Sequence, residues 1–413
     1  MKEYAAIIVG GGASGLMAAC TAARVLKRVA VLERKNRIGK KILATGNGRC
    51  NLTNMNCGIS RYHGENPLWA QTALESFGPK EAVEFFGSLG LVCRTEDEGR
   101  VYPYCGQASA VLDVLRNEID RLQVDVFEAD VCAIEQSSGF FRMSCKSGDS
   151  FSSKAAIIAA GGCASPSLGS DGGGFMLLSS LGHKITRLYP VLAPLKTSLP
   201  EAKSLRGIRA FGSLSIEMDG CIVAVRVGEL QFTGFGLSGI PAMDASGYAK
   251  GKPCTAIVDL CPEISLIELE DELRIRRGKL SRLKSEKFLI GFLNRLLGLA
   301  IMKISGLQNL SLPAECISDK QLSQMASVIK GFRFPIAAST QGLFRDAQAT
   351  GGGADLAQFN PRTMESSLVK GVYACGEVLD IYGDCGGFNL QWAWSSGHAA
   401  GLSAAEALKG SRR

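Results

Sequence analysis

Apolar positions along this chain follow three different spacings. Continuous runs at 5–9, 29–32 and 154–160 have the length of strands buried on both faces. Helical spacing covers 13–27, 67–76, 79–89 and 107–122, and a further helix opens at Gly172-Gly173-Gly174 and runs to Leu181. Alternation over 124–146 predicts short strands at 124–127, 131–135 and 140–144. Between the second strand and the next helices lies a loop rich in Gly, Asn and Lys, from Arg34 to Asn56. After Pro190 the character changes. Pro, Lys and Gly punctuate 191–240, with strand-like runs at 213–218 and 222–232. Residues 264–329 read mostly helical, Arg333 begins another strand-like stretch, and from Gly371 the first pattern resumes. There is no internal repeat and no low-complexity tract.

The joints between these elements carry the chemistry. The first strand runs into Gly10-Gly11-Gly12-Ala13-Ser14-Gly15, and the second ends at Glu33. Gly10 makes the turn, Gly12 lets backbone amides approach a pyrophosphate, and Gly15 lets the helix lie close to the sheet. The helix start adds partial positive charge. Glu33 stands where a ribose hydroxyl would sit, which argues for an adenosine ribose without a 2′-phosphate. Strand, glycine turn, helix and spaced acid together form a dinucleotide fingerprint. The run 154–160 ends in Ala160-Gly161-Gly162, as a buried parallel strand ends at a cofactor. Near the other terminus, Gly371-Val-Tyr-Ala-Cys-Gly376-Glu377-Val-Leu-Asp380 precedes a Gly/Asn segment and a helix, and reads as the flavin-side half of the same site. No second glycine fingerprint follows a strand, so a nicotinamide donor would dock directly over a flavin, or electrons would come from a carrier.

Composition narrows the remaining choices. A chain of 413 residues implies two or three domains. Residues 4–23 are apolar enough to resemble a signal peptide, but three consecutive glycines and no cleavage pattern favour the fingerprint. No stretch approaches a membrane span, and a cytoplasmic protein is expected. The fourteen cysteines show no CxxC pair and no Cys/His ligand spacing, so no metal is expected. Most read as small core residues of a reducing compartment. The net charge of +7 is modest, and its densest stretch, Arg274 to Lys287, reads as a solvated helical face or as an attractor of anions.

Three segments then meet in one pattern. They are Leu32-Glu33-Arg34-Lys35 with Gly39-Lys40-Lys41-Ile42-Leu43-Ala44-Thr45-Gly46-Asn47-Gly48-Arg49-Cys50-Asn51-Leu52-Thr53-Asn54, then Ala347-x-x-Thr350-Gly351-Gly352-Gly353, then Gly376 to Asp380 with Gly386-Gly387-Phe388-Asn389-Leu390-Gln391-Trp392-Ala393. Across essentially the whole chain this resembles the BaiN/RdsA family of FAD-dependent oxidoreductases, and the Thr-Gly-Asn-Gly-Arg-Cys-Asn run is highly specific. Phe232 to Pro241 resembles the family pattern as well. The resemblance implies an α/β fold. A Rossmann-type FAD domain would be built from both ends (1–190 and 335–413), with an inserted β-rich domain (191–253 and 310–334) and a helical subdomain (254–309). It implies non-covalent FAD. Gly10, Gly12, Ala13, Ser14 and Gly15 would face the pyrophosphate, and Glu33, with Arg34 after it, the adenosine ribose. Lys40 and Lys41 would lie on the adenine and phosphate side, and Val131 would offer its backbone to the adenine. Gly46, Asn47, Arg49 and Asn51 would approach the flavin, with Gly161 at the strand end. Gly376, Glu377 and Asp380 would sit near ribityl and pyrophosphate. Phe388, Asn389 and Leu390 would bring the start of the last helix to the flavin pyrimidine ring, where it stabilises the charge of a reduced flavin.

Alternatives stay open at this level. Lys40 and Lys41 could be solvated, Arg49 could brace a loop, and Cys50 could be a packed thiol or a nucleophile. His63, His183 and His398 belong to no recognisable constellation. Gly351 to Gly353 form a turn or a close backbone approach to a flat ring. Activities within the family imply hydride transfer to a conjugated C=C bond of a 3-oxo-4,6-diene bile acid, with NAD(P)H a candidate electron donor. The cysteine-rich composition, compatible with a gut anaerobe, tilts toward this activity. Tyr102, Tyr104 and Tyr382 are then the candidate proton donors, and Arg100 and Arg345 candidate charge stabilisers. The rival readings are an oxidase of a small amino ketone such as aminoacetone, and an RNA-directed flavoprotein. A small-molecule partner is expected, without nucleic acid or membrane insertion, and the oligomeric state stays open.

Overall fold

The computed structural model describes residues 2–137, 139–337 and 343–410. They form two units, one from residues up to Tyr189 together with those from Ala347 on, the other from Pro190 to Asp346.

The first unit is built on a seven-stranded sheet among the described residues. Its strands are Lys2–Val9 (β1), Val29–Glu33 (β2), Asp125–Glu128 (β3), Val131–Ser137 (β4), Phe140–Cys145 (β5), Ser150–Ile158 (β6) and Val372–Ala374 (β7). The order is β3-β2-β1-β6-β5-β4, with β7 also on β6. β6 changes partner halfway. Residues 150–153 pair antiparallel with β5, and residues 156–158 pair parallel with β7. Apolar runs become central strands here because both faces are covered, and Ala6, Ile7 and Ile8 are fully buried. The register matters for function. Val9 lies opposite Leu32 on one side and Ile158 on the other, and Ile158 lies opposite Ala374. Four strands from distant parts of the chain therefore end level, and their glycine-bearing loops emerge at one edge.

Helices Ala13–Ala23 (α1), Ala108–Arg121 (α2), Gly173–Ser180 (α3) and Phe388–Gly410 (α4) belong to this unit. α1 and α4 cross at backbone distance. A Cβ built on Gly397 would lie 2.4 Å from Ser14 O, and one on Gly401 would lie 2.4 Å from Ala18 O. Only glycine fits either place. α4 also holds the loops. Trp394 Nε1 donates to Leu52 O at 2.9 Å, Trp392 Nε1 to Gly376 O at 3.1 Å, and Gln391 Nε2 to Phe77 O at 2.9 Å.

The second unit carries an antiparallel sheet in the order Leu195–Lys196, Gly236–Ser238, Cys221–Thr233, Arg209–Met218, Cys254–Asp259, Phe332–Ile336. A bridge between Thr197 and Ile336 nearly closes it. One segment differs from expectation. Cys254–Asp259, grouped with a helical segment, is a strand, because Cys254, Ala256 and Val258 alternate inward. Asp319–Lys330, in the stretch read as mostly helical, is a helix, capped by Ser318 with Gln321 and burying Leu322, Met325, Ala326 and Ile329. The basic stretch is tied down rather than merely solvated. Arg276 Nε donates to Phe288 O at 2.5 Å, Arg277 Nη1 to Ile317 O at 2.8 Å, and Arg274 pairs with Glu270 and Asp271.

Gly401→Val should lower the denaturant midpoint, at a cost of about 1–3 kcal/mol, because the added carbons meet backbone that has nowhere to go. Gly410→Ala, with nothing within 4 Å, should be neutral in the same titration. Equal midpoints for the two variants would show that the helix crossing is loose.

Candidate active site at the carboxyl edge of the sheet

The glycine turn separates packing from vacancy. Gly10 has φ +107°, and a Cβ there would lie 2.5 Å from Ala159 O. A Cβ on Gly15 would strike Gly10 O. Both glycines are demanded by the fold. Gly12 has extended φ and ψ of −82° and −167°, and nothing lies within 4 Å of its notional Cβ. Its side opens onto space in front of α1, whose N-terminus has no side-chain cap. The first amides of a helix lack intrahelical acceptors, so this corner presents donors without a partner side chain. Beside it, Glu33 Oε2 accepts from Gly11 N at 2.8 Å and Oε1 from Lys35 N at 2.8 Å. Each oxygen keeps a lone pair for a hydroxyl.

Four distant motifs join in one polar network. Lys41 Nζ donates to Glu377 Oε2 at 2.8 Å. Glu377 Oε1 accepts from Thr350 N at 2.8 Å, and Thr350 Oγ1 accepts from Cys163 N at 2.8 Å and Ala164 N at 3.1 Å. The long loop, the strand-end glycines, the Thr-Gly-Gly-Gly run and the Gly-Glu turn are thus locked together. Gly161 lies in the left-handed region at φ +74°. Gly376 packs on α1, where a Cβ would lie 2.4 Å from Ser14 Oγ. Lys41 is paired, while Lys40 is partly exposed beside it. Arg34 pairs with Asp171 and, at 3.8 Å, with Asp130. Val131 is buried at the start of β4.

On the opposite side, two acceptors are buried without a donor among the described residues, Asn51 Oδ1 and Asp380 Oδ1. The other oxygen of Asp380 accepts from Thr186 Oγ1 at 3.2 Å and Glu65 N at 3.3 Å. Burial pushes this carboxyl above its ordinary value. The loop 46–50 turns through left-handed conformations at Gly46, Asn47, Gly48 and Cys50. Arg49 lies 4.1 Å from the Tyr102 ring centroid and pairs with Glu96 at 2.5 Å, so it braces this loop. Cys50 is fully buried, and burial pushes its thiol up to about 12. It is a packed thiol and not a resting nucleophile. The flat ring that Gly351 approaches is that of Tyr189, 2.4 Å from its notional Cβ. At the start of α4, the Asn389 side chain accepts from Gly383 N at 2.9 Å and donates to Gly383 O at 2.8 Å, and Leu390 follows in the same turn.

The three candidate tyrosines fare differently. Tyr382 is buried, and its ring stands edge-on to that of Tyr189, 6.3 Å between centroids. Tyr102 lies under Arg49. Tyr104 is 65% exposed, with Arg94 near its ring. Arg100 pairs with Glu98, and Arg345, in the second unit, is largely exposed. His183 and His398 serve packing. His183 bonds Ser366 Oγ at 2.7 Å, and His398 stacks on Phe77 at 4.3 Å. His63 does not fit that description. It meets the buried Asp384 at 2.7 Å and lies beside Tyr382. Sequence reading missed it because a two-residue strand has no periodicity to detect. The only hint was an acid, Asp384, inside the Gly-rich segment before α4.

The family described as HI0933-like protein Rossmann domain matches residues 4–403. The chain belongs to this HI0933-like family. It is a FAD-dependent oxidoreductase, with a Rossmann-type FAD-binding domain built from both ends of the chain. It is 38% identical over 407 residues to the 3-dehydro-bile acid delta(4,6)-reductase of Clostridium scindens, covering 97% of this chain and 98% of that one. It is 28% identical over 404 residues to the ribosomal RNA dihydrouridine synthase of Escherichia coli, covering 97% of each. Among solved structures, the open conformation of a flavocytochrome c3 fumarate reductase gives a TM-score of 0.49 at 14% identity, over 99% of this chain and 79% of that one. Among the described residues, no helix is long and apolar enough to cross a membrane.

The residues present fit FAD. The open face of Gly12 and the uncapped α1 suit a pyrophosphate, Glu33 suits vicinal hydroxyls, and the two donor-less acceptors suit a hydroxylated chain and a ring N–H. Burying such oxygens without a donor would cost about 1–3 kcal/mol each.

Gly12→Val is expected to fold, since its backbone is extended, yet to bind FAD on the order of tenfold or more weakly. Gly15→Ala should instead lower thermal stability. The flavin-to-protein absorbance ratio and a melt separate the two, and full flavin content in Gly12→Val would refute the pyrophosphate assignment. The cysteines differ from expectation too. Six are buried (Cys20, Cys50, Cys145, Cys254, Cys261 and Cys375), and the other eight reach the surface at strand faces and loops. Thiol titration of native protein should modify Cys105, Cys132, Cys221 and Cys316 first and spare Cys50 until unfolding. Fast modification of Cys50 would restore the nucleophile reading.

Proposed function

We propose that this chain reduces a C=C bond conjugated to a ketone, and that its substrate is a 3-oxo-4,6-diene bile acid. The observation that carries the reading is the 38% identity to the delta(4,6)-reductase over nearly the full length of both chains. Bound FAD supplies the hydride that this reduction needs. The amides at the start of α1 hold its pyrophosphate, Glu33 its ribose, and Asp380 and Asn51 its ribityl and ring side. The start of α4 offsets the negative charge of the reduced ring. Tyr382 holds the proton, because it is the candidate tyrosine that is buried. Tyr104, open to water, cannot orient a substrate in this way. NAD(P)H is the proposed electron donor.

The dihydrouridine synthases support a second reading. Dihydrouridine differs from uridine by saturation of a ring C=C next to a carbonyl, the same bond type in another setting. A uracil in RNA is therefore the alternative substrate, and a net charge of +7 permits the approach.

The deciding experiment is anaerobic. The flavin is reduced, the dienone bile acid is added, and the return of oxidised-flavin absorbance is followed. A rapid return with a saturated product is expected. Tyr382→Phe should slow it on the order of 100-fold with flavin still bound, and Tyr104→Phe should change it little. A return with ribosomal RNA and none with the dienone would overturn the bile-acid reading in favour of the second. Hydrogen peroxide formed from aminoacetone in air would overturn both.

A further inference from the structure

His63 and Tyr382 face each other across a two-residue ladder. Strand Tyr62–His63 pairs antiparallel with Tyr382–Gly383, placing His63 opposite Tyr382. Their rings lie 5.2 Å apart and 34° from parallel. Asp384 Oδ1 meets His63 Nε2 at 2.7 Å, and Asp384 Oδ2 meets Arg61 Nη1 at 3.5 Å. The Asp384 side chain is 4% exposed and that of His63 19%. Asn389 clamps the loop between them through Gly383, and Tyr62 donates to Phe388 O at 3.1 Å, so the ladder is anchored on the start of α4. A buried carboxylate is costly unless it is partnered. This one, two residues from Tyr382, orients the imidazole that lies opposite that tyrosine.

The other two histidines offer no comparable arrangement. Burial holds His183 and His398 below the ordinary imidazole value, and among the described residues neither pairs with a carboxylate. His63 is the histidine held at the site by an acid.

We propose that His63, oriented by Asp384, replenishes the proton that Tyr382 gives to the substrate. This rests on the reading that a conjugated C=C bond is reduced. Bound FAD, when reduced, would supply the hydride that forms a C–H bond at one end of the double bond, and would be left oxidised. The displaced π pair, held as the enolate of the ketone, then takes the Tyr382 hydroxyl proton at the other carbon. The tyrosinate recovers its proton from imidazolium, and the imidazole recovers one from water. One hydride and one proton are consumed per C=C bond. His63 acts through Tyr382 and is a positioning residue. Asp384 faces it, Arg61 pairs with the other oxygen of that acid, and Asp380 and Glu65 lie two residues further along the two strands. The Tyr189 ring stands edge-on to Tyr382.

Reoxidation of the reduced holoenzyme by the dienone is measured across about pH 5 to 8, the window in which histidine changes charge, for wild type, His63→Gln and Asp384→Asn. The wild-type rate should fall as pH rises, because the imidazolium is lost. His63→Gln should abolish this limb and slow the acid-side rate on the order of 100-fold. Asp384→Asn should move the limb toward acid. Imidazole NMR of the oxidised holoenzyme gives a readout independent of turnover. One of the three histidine signals should titrate in this window, vanish in His63→Gln and move toward acid in Asp384→Asn. Flavin absorbance in each variant reports folding. A His63→Gln profile that keeps the wild-type limb and is only scaled down would mean a structural role and overturn the proposal. A wild type silent toward the dienone would overturn the substrate reading, and the proposal with it.

Discussion

Everything at the site hangs from one close crossing. α1 and α4 approach until glycine Cα atoms of one helix lie against carbonyls of the other, at Gly397 over Ser14 and Gly401 over Ala18. That contact sets the first turn of α1, and with it the amides in front of Gly12. It also places Gly376 on Ser14 and carries the start of α4 to the same edge. Small residues here are a positional requirement, since a single methyl group would separate the two halves of the cofactor site. Segments from opposite ends of a 413-residue chain thereby make one site.

The α/β architecture was legible because its signals are local and redundant. A buried strand, a glycine turn, a helix and Glu33 at the next strand end each restrict the others. The inserted unit was less so. Its strands and helices alternate within one core, and Cys254–Asp259 had to be read from three inward positions against a helical neighbourhood. The glycines divided in a way that spacing could not foretell. Gly10, Gly15 and Gly351 are filled by the protein's own atoms, whereas Gly12 faces open space. Sequence names glycine identically in both cases, and only packing separates them. The same holds for Arg49 and Cys50, which sit in the most specific motif of the chain yet serve bracing and packing.

The Lys41–Glu377–Thr350 network shows how loops keep a rigid geometry. The segments that it joins have only short regular structure to position them, a five-residue helix at Lys41, a three-residue strand at Thr350 and a three-residue 3-10 turn at Glu377. Charge-assisted hydrogen bonds of 2.8 Å at both oxygens of one carboxylate do that work instead. Glu377 is thus a structural hub rather than a free ligand, and a cofactor assignment to it has to run through its backbone.

Two buried acids on the loop into α4 bring the argument to the chemistry. Asp380 and Asp384 are equally hidden and four residues apart, but their surroundings differ. Asp380 keeps one oxygen with no protein donor, and burial favours its protonated form. Such a group suits a ligand that brings its own hydrogen-bond donors. Asp384 has a cationic or protonatable partner at each oxygen, Arg61 and His63. Such a group orients side chains and does not need a ligand. The loop therefore separates two kinds of acid by position, one with an oxygen open to a ligand at its start and one committed to side chains at its end, with Tyr382 between them.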